Sequence, residues 1–311
     1  MNLSDDAKAV LVLTTRLGDR NRPSMAPGAW HRLAQGLSDA GLSPASIFDS
    51  DFDAALFARL DAPEVRRLLA DTVSVFVELD VLASKGIWAL TSVDGGYPGR
   101  LRGLGEAAPP CLFGVGEAAL LGAGGVAVVG SRNVEPDGAA IAQAMARLAA
   151  GQGLALVSGG ARGVDQLAMS AAHQAGGAVV GVLGDSLEQR IRKADTISAL
   201  DEGRTCLVVQ QHPAAGFTAA AAMARNKLVY ALADLTVVVA ADSGSGGTWS
   251  GAEEALRKRY GRVAVWRGAG EGSGNAALER MGATALRSPD DLGAILQQPE
   301  PRPAPEQLTM L

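Results

Sequence analysis

Three glycine-rich turns in this chain each place an arginine or a hydroxyl where a β-rich run gives way to a helical one. Val126-Ala-Val-Val129 runs into Gly130-Ser131-Arg132-Asn133, and Val157 into Ser158-Gly159-Gly160-Ala161-Arg162-Gly163-Val164-Asp165. Leu235 to Ala240 leads into Asp242-Ser243-Gly244-Ser245-Gly246-Gly247-Thr248. Turns of this kind expose backbone N–H groups at a helix start, where an anion is favoured. Gly130 would let a ligand approach the backbone, Ser131 offers a hydroxyl, and Arg132 can fork onto a phosphate. The same three residues would also serve as a tight turn with a solvated arginine. Arg162 adds charge to the second turn. Asp165 falls in the first helical turn beyond it, where a carboxylate caps the helix or positions a ligand hydroxyl. Arg225-Asn226-Lys227 are three adjacent polar residues inside an apolar helical stretch. Successive helical side chains fan out by roughly 100°, so the entry end of that helix must meet a polar site.

Other chemistries find less support. The chain has no GxxxxGK[ST] phosphate loop and no GxGxxG, which disfavours P-loop ATP hydrolysis. His31, His173 and His212 stand in no HExxH pair or GxSxG elbow, and Glu253 and Glu254 fit the polar face of a helix. Cys111 and Cys206 form no CxxC motif or Cys/His cluster, so no metal or other cofactor is expected and a reducing compartment fits. Asp5 and Asp6 stand where a secretory leader would be basic, and no apolar run is long enough for a membrane span, so the expected location is the cytoplasm. A net charge of −5 removes long-range attraction for nucleic acid, so any phosphate site must be local. Arginine outnumbers lysine 23 to 5, which suits planar recognition of phosphates and bases, whereas aromatic residues at 4% leave little for stacking many successive bases.

The elements around these turns define the architecture. Residues 1–82 read as a small helical N-terminal domain, with apolar residues at three- and four-residue spacing over 7–13, 30–37, 54–60 and 63–82. From Gly86 the texture changes to short apolar runs over 86–91, 125–129, 153–157, 178–183, 206–209, 235–240 and 263–266. Helical stretches over 137–150, 164–175, 218–233 and 249–260 separate them, with Asp137 as a helix cap. Strand–helix alternation with apolar runs that barely alternate predicts an α/β fold, a doubly wound and mostly parallel sheet, over 83–297. Such sheets bind ligands beyond the carboxyl ends of their strands. Residues 298–311, rich in proline, should form an extended tail.

In this order the motifs resemble the DprA/Smf DNA-processing proteins. The likeness rests on Thr91-Ser-Val-Asp94-Gly-Gly-Tyr97-Pro98, Ala108-Pro109-Pro110, Gly130-Ser131-Arg132, Ser158 to Asp165 and Arg225-Asn226-Lys227, and spans about 86–286. It implies a Rossmann-like domain that binds single-stranded DNA, protects it and helps load a RecA-type recombinase, without a catalytic step. It also implies dimerisation and a basic pocket whose matching positions here are Arg132, Arg162, Arg225, Asn226 and Lys227. The chain departs from the family at Ala168-Met169, where an Ala-His pair is common, and at Ala222-Met223, which replace Phe-Pro. Its Gly246-Gly247-Thr248-Trp249 is similar to the loop of the related Lonely Guy nucleotide phosphoribohydrolases. A nucleotide sensor or a hydrolase of that type is therefore the alternative reading. The end of the tail, Gln307-Leu308-Thr309-Met310-Leu311, resembles peptides that dock on the bacterial sliding clamp.

Overall fold

The computed structural model describes residues 3–49 and 67–297. The expected helix over 54–60, the start of the one over 63–82, and the tail with its clamp-like end lie outside the described residues.

Among the described residues nine strands form one sheet: β1 (Trp88–Thr91), β2 (Cys111–Gly116), β3 (Val126–Val129), β4 (Leu156–Ser158), β5 (Val179–Val182), β6 (Thr205–Val209), β7 (Leu235–Val238), β8 (Arg262–Trp266) and β9 (Thr284–Leu286). Their order is β1-β2-β6-β5-β4-β3-β7-β8-β9. Strands β3 to β9 run parallel, while β1 and β2 form an antiparallel edge beside β6. The Rossmann-like α/β expectation is met. Neither β2 nor β9 is among the expected strands, because Gly114 and Gly116 interrupt one and the other is three residues long.

The described helices are α1 (Asp5–Thr14), α2 (Pro27–Asp39), α3 (Thr72–Ser84), α4 (Gly99–Arg102), α5 (Pro136–Gly151), α6 (Val164–Gln174), α7 (Leu187–Arg190), α8 (Ala194–Asp201), α9 (Ala219–Leu232), α10 (Gly246–Lys258), α11 (Asn275–Arg280) and α12 (Asp291–Gln297). One sheet face carries Val126, Val128 and Val237 against the alanine-rich faces of α5 and α6. The opposite face carries Ala127, Val129 and Val238 against α9 and α10, through Leu228, Val229, Ala252 and Ala255. Both faces are covered, so polar alternation has nowhere to appear. Helices α1 and α3 bury Leu11, Val12, Val75 and Leu79 against Phe113, Val115, Leu207 and Val209 of the sheet. The N-terminal helices therefore share a core with the antiparallel edge. Asp137 is not the cap of α5: Pro136 occupies the first helical position, where its missing N–H is no loss, and Glu135 precedes it.

Candidate nucleic-acid interface

The strand order reverses at β3. From β3 the chain winds through β4 and β5 to β6, then crosses by α9 to β7 on the other side of β3. The loops after β3 and β7 thus part at the carboxyl edge and leave a crevice, the position where doubly wound sheets hold ligands. A cavity of about 440 Å³ occupies it, walled by Gly130 to Asn133, by Ser245 to Thr248 and by the first turns of α9. Beside it lies a second lobe of about 400 Å³ against Gly159 to Arg162 and Gly184, Asp185 and Arg190. Arg132, Ala161, Phe217, Ala222 and Arg225 line both lobes, which therefore form one cleft.

Arg225 is sunk beneath this cleft. It is 7% exposed, and its Nη2 lies 3.7 Å from Asp165 Oδ2. A Cβ on Gly159 would overlap the guanidinium, so the glycine makes room for Arg225 and not for a ligand. Burial pushes the Asp165 carboxyl up from its ordinary range, and Arg225 with the amides of Ala161, Gly130 and Gly159 pulls it back. Burial likewise lowers Arg225, opposed by Asp165. Asp165 is not the cap of α6, because Gly163 holds that position at φ 86°. Its carboxylate reaches back to accept from Ala161 N at 3.3 Å and braces the loop.

The other expected site residues divide in the same way. Ser158 is fully buried and donates to Val128 O at 2.8 Å, which removes it from any ligand. A Cβ on Gly163 would strike Ser131 O, and one on Gly130 would lie 2.6 Å from Val164 Cγ2. These two glycines let the loops after β3 and β4 pack together, and Gly130 also stands on the wall of the first lobe. Gly160, at φ 68°, lines the second lobe. Ser131 Oγ accepts from Asn133 N at 3.1 Å, and Thr248 Oγ1 donates to Gly130 O at 3.0 Å, joining the loop after β7 to the end of β3. Asn226 Nδ2 donates to Gly247 O at 3.1 Å, tying α9 to the start of α10 beside Gly246. Lys227, one step further round α9, is half-buried and off the cavity wall.

What remains on the cleft surface is mostly cationic, with Asp242 an exposed carboxylate on the wall of the first lobe and Asp185 on that of the second. Arg132 is exposed and its guanidinium stands 5.2 Å from the centre of the Phe217 ring, which is itself 53% exposed. Arg162 is exposed and donates to Asn133 Oδ1 at 2.6 Å. Arg190 and Lys193 close the far side, with Arg190 held by Asp185 at 3.1 Å. Among the described residues Arg132, Arg162 and Lys193 have no carboxylate partner. Beneath the floor, Arg225 Nε and the Tyr230 hydroxyl are buried with no hydrogen-bond partner among the described residues. Sequence reasoning missed Phe217, Tyr230, Arg190 and Lys193. The cluster Arg190, Arg192 and Lys193 in an acidic chain was the available signal for two of them. Phe217 had only its place beside Thr218, whose hydroxyl caps α9.

The fold and this cleft define a Rossmann-like α/β protein with an arginine-rimmed crevice at its switch point. Residues 88–297 match the family model of DNA recombination-mediator protein A, and the chain belongs to that family, the DprA/Smf group. It is similar to the structure of DNA processing protein A from Streptococcus pneumoniae, at 23% identity and a TM-score of 0.69, over 94% of this chain and 98% of that one. It is also similar to DNA processing protein A from Helicobacter pylori, in a structure described for its single-stranded DNA binding mode. That likeness has 23% identity and a TM-score of 0.55, over 68% of this chain and 95% of that one. Comparison with curated proteins found no match. No described helix is long and apolar enough to cross a membrane.

Proposed function

We propose that this protein binds single-stranded DNA across the two-lobed cleft and acts in recombination by protecting the strand and handing it to a RecA-type recombinase. The observation that carries the reading is the convergence of Arg132, Arg162, Arg190 and Lys193 with an exposed aromatic ring on one groove, in a chain of net charge −5. Cations spaced along a groove track a phosphodiester backbone, and a ring beside them stacks a base of any identity. The family membership and the subject of the Helicobacter pylori structure support the same reading. In it, Arg225 and Asp165 hold the loops, Gly246, Gly247 and Thr248 with Asn226 shape the far wall, and Ser158, Gly163 and Lys227 have no direct contact. A homodimer would set two clefts on one strand and multiply weak contacts.

The competing reading is a mononucleotide site, as in a sensor or a phosphoribohydrolase, favoured by the glycine- and hydroxyl-rich turn Ser245 to Thr248 on the cavity wall. Glu253 and Glu254 are off the cavity wall, and Glu254 Oε1 accepts from the Tyr260 hydroxyl at 3.3 Å. Titration of an oligothymidylate and of a mononucleotide at several salt concentrations decides. The proposal expects tight, steeply salt-dependent binding of the oligomer alone. Saturable mononucleotide binding of equal affinity would overturn it.

A further inference from the structure

The second lobe does not end at Arg190. It opens into a third, of about 430 Å³, between α6 and α8 over the face of β5 and β6. Gly160, Gln166, Arg190 and Lys193 line both lobes, so the two are continuous and two cations stand at their junction. The third lobe has an apolar floor of Met169, Leu183 and Leu207. Its walls carry unmet polar groups. Thr205 is 4% exposed and its Oγ1 has no partner, and the Nδ1 of His173 is buried without one, while its Nε2 stands 3.4 Å from Glu202. Among the described residues Asp195 is the one carboxylate on the wall. An apolar floor beneath a rim that bears Gln166, Ser170 and two cations suits an occupant that is flat and apolar in face and polar at its edge.

We propose that this third lobe receives a single unstacked nucleobase of the bound strand, with the phosphates on either side of that base held by Arg190 and Lys193. The inference rests on the single-strand reading above and lengthens its track beyond the cleft at the switch point. The base would lie on Met169 and Leu207, with its edge toward Gln166.

The test uses the full chain and oligothymidylates of about 4 to 16 nucleotides, a span that covers common single-strand site sizes. Ser170→Trp places an indole in the lobe from an exposed position on α6. It should weaken the longest oligomers about tenfold and leave the shortest, which fill only the first two lobes, unchanged. Lys193→Ala, a change at an exposed residue that cannot unfold the core, should lower the salt slope for oligomers that reach the junction of the second and third lobes, and most for the longest. A strand carrying a single 2-aminopurine at successive positions should brighten at one position with the wild type, and not with Ser170→Trp. Equal length dependence in wild type and both variants, with no bright position, overturns the third lobe while leaving strand binding intact. If the wild type binds no oligomer at all, both this inference and the reading beneath it are overturned.

Discussion

Replacing Arg132 by alanine removes a cation that has no carboxylate partner among the described residues and stands over an exposed ring. Arg132, Arg162 and Lys193 are the cleft cations free of ion pairs, and three phosphate contacts on a single strand give a log K against log salt slope of about −2.1. Arg132→Ala should reduce it to about −1.4. A hydrogen bond to a charged group contributes about 1.5–3 kcal/mol, so affinity at low salt should fall roughly 10- to 150-fold. Arg132→Lys should recover the slope, because the charge returns, but only part of the affinity, because an ammonium has no planar fork to lie over Phe217. Fluorescence anisotropy of a labelled oligothymidylate between about 50 and 200 mM salt measures both quantities. Parallel lines for wild type and Arg132→Ala would refute the reasoning, as would a slope that lysine fails to restore. Arg225→Ala provides the contrast. It leaves the Asp165 carboxylate buried and unpaired, so its effect should register as a loss of about 3–5 kcal/mol in stability, visible in denaturant unfolding without any ligand.

Phe217→Ala should weaken the oligomer by about 1–3 kcal/mol without moving the salt slope or the melting temperature, since a stacking ring carries no charge and this one is more than half exposed. Arg225→Met removes the influence that pulls Asp165 down, so a carboxyl already raised by burial climbs further. Such a group stabilises the fold at pH below its unfolded value near 4, and that contribution is lost as pH rises through the folded value. The melting temperature of Arg225→Met should therefore fall from acid toward neutral pH, and adding Asp165→Asn should flatten the profile; a slope that persists in the double variant would be contrary. Gly163→Ala, at φ 86° and against Ser131 O, should cost about 1–3 kcal/mol in thermal or denaturant unfolding. Asn275 is fully buried, accepts from Ala241 N and donates to Val239 O and Trp266 O, all at 2.8–2.9 Å. Asn275→Asp sets a carboxylate against both carbonyls and should destabilise the chain by about 3 kcal/mol or more, read by calorimetry.

The sheet was legible because its parallel strands are short apolar runs that end in glycine-rich turns and are followed by helical spacing, as in Val126 to Val129 before Gly130 and Leu235 to Ala240 before Asp242 to Gly247. Strand β2 escaped because Gly114 interrupts it. Its reason is tertiary: a Cβ there would strike the Trp88 ring, which no local pattern reveals. The loops bearing the site were legible for the same reason as the strands. Which of their groups face the cleft was not, because that depends on contacts between loops. Ser158 and Ser131 look alike in sequence, yet one is fully buried against Val128 and the other lines the cavity. Arg132 and Arg225 look alike too, and only the packing of Gly159 tells the exposed cation from the sunken one.

That difference also bears on how an acidic chain could hold a polyanion. A guanidinium under the loops, opposed by Asp165, adds little net field to the cleft, but it fixes the Gly159–Gly163 turn from below. The turn then sets Arg162 beside Asn133 and the loop of Arg132, so the two exposed arginines share one rim. Outside the groove, surface arginines such as Arg32, Arg100 and Arg267 are matched by Glu106, Asp234 and Glu271. On the cleft rim Arg132, Arg162 and Lys193 have no such partner among the described residues, and the low-dielectric walls concentrate what field there is. A uniform reduction in net charge should therefore matter less to strand binding than the loss of any one unpaired cation on that rim.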